Sequence, residues 1–129
     1  MIPEKNFDSW TVIKKQINAM NGVAFAHPRE IWWCSLGVNV GAEIDGKNDN
    51  FERPVIVMKV YNKDTLLVLP ITCKPKHDVF HHKITTDQKV VWVKLTQARV
   101  ISNKRLLRKV DVLGEVEFQF LKEVWKASV

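Results

Sequence analysis

The sequence predicts a mainly β domain, a small and strongly curved antiparallel sheet with a helix at each end. Three observations lead there. Residues 53 to 74, RPVIVMKVYNKDTLLVLPITCK, form two apolar, β-branched runs joined by Asn62-Lys63-Asp64, and Asn and Asp tolerate tight turns. Further short segments of strand character recur on either side, at Glu30 to Leu36 and at Lys89 to Ile101. Helical periodicity is confined to the two ends of the chain.

The bulk properties set outer bounds. A chain of 129 residues and 15.0 kDa suits one domain with a single modest core. Its 46% hydrophobic and 26% charged content is ordinary for a soluble globular protein. No apolar run approaches the about 20 residues that span a bilayer, so a cytoplasmic location is the default expectation. Cys34 and Cys73 make neither a disulfide framework nor a C-x-x-C site, and free thiols are expected. The net charge of +6 favours a polyanionic partner: nucleic acid, an acidic protein, or an anionic membrane face.

Taken in order, residues 8 to 21 read as a helix. Asp8 or Ser9 can cap it, Trp10, Ile13, Ile17 and Met20 recur on one face, and Asn21-Gly22 ends it. A linker to Pro28 follows. Glu30 to Leu36 is the first strand of the sheet, with Trp32 and Trp33 on opposite faces, one of them in the core. Residues 37 to 52 form a long polar loop bearing Gly41, Glu43 and Gly46, and a loop of that length in a small domain is usually functional or disordered.

The central hairpin follows, opened by Arg53-Pro54 and closed by Pro70-Ile71-Thr72-Cys73-Lys74. Antiparallel pairing makes Arg53 and Thr72 neighbours at one edge of the sheet. A guanidinium fork beside a hydroxyl and Lys74 is a phosphate receptor in the making, although a strand-end arginine that only solvates its charge has the same spacing. His77, His81 and His82 lie beyond it. No cysteine or carboxylate completes a familiar ligand spacing with them, so no metal site is expected, and loop or edge-strand positions suit them better.

Lys89 to Ile101 alternates Val91, Val93 and Leu95 against Val90, Trp92 and Lys94, then runs into Thr96-Gln97-Ala98-Arg99. Gln97 and Arg99, two apart, share a side if the strand continues; Gln can read a base edge and Arg can hold phosphate or pair with an internal carboxylate. Lys104, Arg105, Arg108 and Lys109 then concentrate positive charge, either a solvated turn or a surface facing nucleic acid. Leu113 to Ala127 reads as the closing helix, with Phe118, Leu121, Val124 and Trp125 as its buried stripe.

The R-P-V-I-V opening and P-I-T-C-K closing of the hairpin, in that order and spacing, resemble the MazF/PemK family of toxin–antitoxin ribonucleases. Trp32-Trp33, the G-x-E-x-x-G of Gly41 to Gly46, Gln97 to Arg99, and the S-x-x-R-L run from Ser102 fit the same pattern. The resemblance covers Arg29 to the C-terminus, which divides the chain into an N-terminal helical extension and linker (1–28) and a toxin domain (29–129). Residues separating Gly46 from Arg53 outnumber those of the shortest family members.

The resemblance implies an SH3-like small antiparallel barrel of the MazF/PemK/CcdB type, with a C-terminal helix and an added N-terminal helix. It implies a homodimer that cleaves single-stranded RNA without metal or other cofactor and is held by an acidic antitoxin. Arg53, Thr72 and Glu43 become the expected catalytic residues: Arg53 for phosphorane charge, Thr72 for a phosphate oxygen, Glu43 as base or substrate-orienting group. Lys74, Gln97, Arg99, Lys104, Arg105 and Arg108 become the expected RNA contacts. A non-catalytic nucleic-acid- or protein-binding module, or a gyrase-directed toxin as in the CcdB group, would use the same barrel.

Overall fold

In the computed structural model the described residues are 25–36, 52–87 and 89–129. The expected helix over 8 to 21, nearly all of the long loop, and Glu43 lie outside them. Among the described residues seven strands are formed by Glu30–Ser35 (β1), Glu52–Asn62 (β2), Thr65–Thr72 (β3), His81–Thr85 (β4), Val90–Lys94 (β5), Arg99–Ser102 (β6) and Leu106–Val112 (β7), and one α-helix by Glu115–Ser128 (α1).

The β2–β3 hairpin is the centre of the sheet, as the sequence predicts. Its turn is held by Asn62, whose Oδ1 accepts the Asp64 N–H at 2.8 Å. Strand order is β4-β5-β3-β2-β1-β7, with β6 beside β3 and every pairing antiparallel. One edge of β3 changes partner along its length. Thr65 to Val68 pair with β6, and Ile71 and Thr72 pair with β5. That exchange breaks the single strand expected over Lys89 to Ile101 into β5 and β6, with Gln97 in the connection rather than on a strand. The described strands make an open path rather than a closed ring, because β4 and β7 are its two ends and do not pair.

Alternation along the strands builds two cores, one on each face. Ile31, Ile56, Leu69, Ile71, Ile84, Val91 and Val93 meet Leu113, Phe118 and Leu121, where α1 packs. Cys34, Leu36, Val55, Val57, Leu66, Val68, Ile101 and Leu106 form the second, on the opposite face. Burying a full Leu or Ile side chain contributes about 1.5–3 kcal/mol, so both faces stabilise the sheet. The helix begins two residues later than expected. Val124, expected in its buried stripe, is 37% exposed, because Phe118 and Leu121 alone reach the sheet while Trp125 packs at its margin.

Neither tryptophan of the pair is fully buried, which corrects the expectation of one core residue. Trp32 packs against the second core and donates its Nε1–H to Glu30 Oε1 at 3.0 Å. Trp33 lies under Arg108, whose guanidinium carbon is 5.0 Å from the ring centroid.

The entrance to the domain is fixed by Arg29, which adopts a φ of 79°. That left-handed backbone is uncommon for an arginine, and the surroundings compensate it. Its N–H donates to Val57 O (3.0 Å), its carbonyl accepts from Leu113 N (2.9 Å), and Nη1 pairs with Glu115 (2.9 Å). Among the described residues no helix is long and apolar enough to cross a membrane.

Candidate RNA-cleavage site

Register decides which expected site residues meet. Val55 pairs with Pro70, and continuing that register sets Arg53 opposite Thr72. On its other side Arg53 pairs with Cys34. All three share the parity of Val55, so they lie on the face opposite α1. The neighbours expected from sequence are therefore brought together, at the outer ends of β2 and β3.

Although at strand ends, both are buried. Arg53 and Thr72 are 8% and 4% exposed. Arg53 Nη1 reaches Ile71 O at 3.5 Å, a long contact along the neighbouring strand. Thr72 Oγ1 accepts the Lys74 N–H at 3.2 Å, which leaves the hydroxyl hydrogen to donate elsewhere. Lys74 itself is exposed at the rim.

Arg99 and Arg105 enlarge the positive charge on this face. Arg99 pairs with Val68, a residue of the second core, and its Nη1 is buried with no hydrogen-bond partner among the described residues. Arg105 donates to Ser35 O at 3.3 Å. Burial lowers the Arg105 pKa, the nearby Arg99 charge lowers it further, and Cys34 opposes. Two guanidiniums half-buried side by side, one with an unmet donor, make a local field that favours an anion. Burial also pushes the Cys34 thiol up to about 12, so it is not a nucleophile at neutral pH.

The basic run from Lys104 does not form one patch. Lys104 and Arg105 belong to a 3-10 turn, Asn103–Arg105, which is fastened to the hairpin by Asn103 Nδ2 on Lys63 O and Asn103 N on Asp64 O. Lys104 is exposed. Arg108 pairs with Trp33 across the ladder, on the other face from Cys34, and its guanidinium contacts Glu52 Oε2 at 3.4 Å. Lys109 is engaged with Glu30 at 3.1 Å. Strand alternation and a bulge in the β1–β7 ladder separate charges that are contiguous in sequence.

The histidines also diverge. His77 is exposed, and His82 faces α1, where burial lowers its pKa against the opposing pull of Glu117. His81 lies on the Arg53 face, between Asp78 (2.6 Å) and Lys94 (3.4 Å). Sequence reading gave Asp78 and Lys94 no part. The available signal was the alternation of Trp92 and Lys94 against Val91 and Val93.

This fold, with an arginine and a threonine facing each other at the mouth of its central hairpin and further arginines beside them, defines a small β-sheet domain that gathers positive charge on one face. Residues 27–128 match the model of the PemK-like, MazF-like toxins of type II toxin–antitoxin systems, and the chain belongs to that family. No curated protein sequence matches it. Among solved structures it is similar to an endoribonuclease from a mycobacterial species in complex with its cognate antitoxin. That alignment has a TM-score of 0.62 and 6% identity, and covers 79% of this chain and 92% of the other. A second mycobacterial endoribonuclease gives 0.61 and 6%, covering 81% and 91%. The Mycobacterium tuberculosis toxin MazF-mt6 gives 0.58 and 16%, covering 77% and 94%. At these identities the likeness establishes the fold.

Proposed function

We propose that this protein is a metal-independent endoribonuclease that cleaves single-stranded RNA as the toxin of a toxin–antitoxin pair. The observation that carries the reading is the juxtaposition of Arg53 and Thr72 on the face opposite α1, in a chain of the MazF-like family. RNA supplies its own nucleophile, the 2′-hydroxyl. Attack on the adjacent phosphorus forms a phosphorane and ends in a cyclic phosphate and a free 5′-hydroxyl. Arg53 offsets the charge that builds on the phosphorane, and the Thr72 hydroxyl donates to a non-bridging oxygen. Glu43 is assigned from sequence to activating or orienting the 2′-hydroxyl. Gln97, Arg99 and Arg105 line the approach and Lys74 its rim, with Lys104 and Arg108 as outlying charge.

The same reading takes residues 1–28 as an extension to the toxin domain and places the protein in the cytoplasm, where its RNA is. It makes the antitoxin an acidic protein that competes with RNA for the basic face. A homodimer accords with the apolar row on α1, where Val116 and Phe120 are 72% and 60% exposed beside Val124, surface that a second copy would cover.

The test is cleavage of a defined single-stranded RNA by purified protein. Arg53→Ala and Thr72→Ala should each slow it on the order of 100-fold or more. Both side chains are buried, so Arg53→Lys and Thr72→Ser serve as fold-preserving companions, of which Arg53→Lys should still be impaired because it loses the planar fork. Near-wild-type cleavage by Arg53→Ala would remove the assignment.

A further inference from the structure

RNA cleavage by 2′-hydroxyl attack needs a proton acceptor and a proton donor, and Arg53 and Thr72 are poorly suited to either. A guanidinium keeps its proton, and a threonine hydroxyl has none to spare at neutral pH. The face that carries them continues onto β5 and β4. Thr72 pairs with Trp92, Trp92 with Lys83, and Lys94 with His81. Side chains of one parity, from Arg53 through Thr72, Trp92 and Lys94 to His81, therefore lie on one side of four adjacent strands.

His81 is held in one orientation there. Its Nδ1 donates to Asp78 Oδ1 at 2.6 Å, and Asp78 is itself fixed by accepting the Phe80 N–H at 2.9 Å. With the hydrogen on Nδ1, the lone pair of Nε2 points away from Asp78, and Lys94 Nζ lies 3.4 Å from it. The lysine sits in a costly place. Burial lowers its pKa, the charges of Lys76 and Arg53 lower it further, and Asp78 opposes them. These are the groups that face the pair: Asp78, Lys76 and Arg53, with Lys83 exposed two residues along β4. Three cations, Lys94 beside the imidazole and Lys76 and Arg53 acting on Lys94, are a poor way to fasten a hairpin. They are a good way to hold an anionic ester beside a base.

We propose that His81 and Lys94 are the proton-transfer pair of this site, His81 Nε2 taking the proton of the 2′-hydroxyl and Lys94 Nζ giving one to the departing 5′-oxygen. The proposal rests on the RNA-cleavage reading above. The balance closes. The 2′-O–H bond breaks as O2′ bonds to phosphorus, the P–O5′ bond breaks, and O5′ leaves with the ammonium proton. His81 is then an imidazolium and Lys94 a neutral amine in contact with it. Transfer of the Nε2 proton to Nζ restores the starting state, with no outside acid, base or metal consumed. Asp78 is a positioning residue that keeps the tautomer.

The experiment compares wild type, Arg53→Ala, His81→Asn, Lys94→Ala, Lys94→Arg and Asp78→Asn on one RNA, across pH. A second substrate carries sulfur in place of the bridging 5′-oxygen, a leaving group that departs without a proton. On ordinary RNA, His81→Asn and Lys94→Ala should each lose about 100- to 10,000-fold in rate, while affinity for a 2′-deoxy analogue changes little for His81→Asn. Lys94→Arg should keep charge and RNA affinity but cleave slowly, and Asp78→Asn should alter the pH profile as well as the rate. The sulfur substrate should restore Lys94→Ala and leave His81→Asn slow. Active wild type and inactive Arg53→Ala together with an unimpaired His81→Asn would overturn the pair alone. So would equal sulfur rescue of both variants, or of neither. A wild type that cleaves no RNA would remove the RNase reading and this inference with it.

Discussion

Glu30 ties the entrance of the domain to the face that carries the site, and its removal has a calculable cost. The residue is 7% exposed. Its Oε1 accepts from His27 N (2.8 Å) and Trp32 Nε1 (3.0 Å), and its Oε2 meets Lys109 Nζ (3.1 Å) and His27 Nδ1 (3.3 Å). Glu30→Ala strands the half-buried Trp32 Nε1–H, at about 1–3 kcal/mol, and leaves the N–H of the exposed His27 to water. The Lys109 pair adds little, since the lysine is 46% exposed and such pairs are worth roughly 0–1 kcal/mol. A loss of about 1–4 kcal/mol follows, which for a domain of this size lowers Tm by roughly 4–16 °C.

The pH dependence has a definite sign. Burial alone would raise the Glu30 carboxyl, but hydrogen bonds from His27, Trp32 and Lys109, with the Lys109 charge, bring it below its ordinary 4.5. A carboxylate with a depressed folded pKa stabilises fully above its unfolded value, and that contribution is lost as pH falls through the folded one. The gap between wild type and Glu30→Ala should therefore be full at neutral pH and narrow below about 4.5. Urea unfolding followed by Trp fluorescence at several pH values measures it. A gap under about 0.5 kcal/mol at pH 7, or one that does not narrow in acid, would refute the reasoning.

Leu121 is wholly buried where α1 meets the sheet, so Leu121→Ala should cost about 2–5 kcal/mol, read by the same unfolding assay. Cys73 is exposed and Cys34 buried with a raised pKa, so a thiol reagent at pH 8 should modify one cysteine per native chain, counted by intact mass. An acidic antitoxin should associate more slowly and bind more weakly as salt rises. Arg105→Glu, on the Arg53 face, should weaken RNA binding more than Arg108→Glu, whose guanidinium lies against Trp33 and Glu52, and salt-titrated binding separates the two.

The hairpin was legible because its two signals agree: alternation with β-branched residues over Val55 to Val60, and turn residues at Asn62 to Asp64. The register followed from them, and with it the meeting of Arg53 and Thr72. The break after Lys94 was not legible. Lys89 to Ile101 alternates well enough for one strand, and only tertiary pairing shows β3 exchanging β5 for β6. The placement of charge was not legible for a related reason. Lys104 to Lys109 are nearly contiguous in sequence, whereas Arg105 lies in the 3-10 turn with its guanidinium on Ser35 O and Arg108 lies on β7 against Trp33. Val124 fits the helical period but falls past the width of sheet that α1 covers. His81, Asp78 and Lys94 belong to no short motif. Sequence places them on separate elements, and the β4–β5 register is what brings His81 beside Lys94.

The most direct measurement of the central claim is the chemistry of the RNA ends. A single-stranded RNA incubated with purified protein in excess chelator should be cut at preferred sites, leaving a 2′,3′-cyclic phosphate upstream and a 5′-hydroxyl downstream, and Arg53→Ala should leave it intact. Fragments ending in 3′-hydroxyl and 5′-phosphate, or RNA left whole until a divalent ion is restored, would contradict the account.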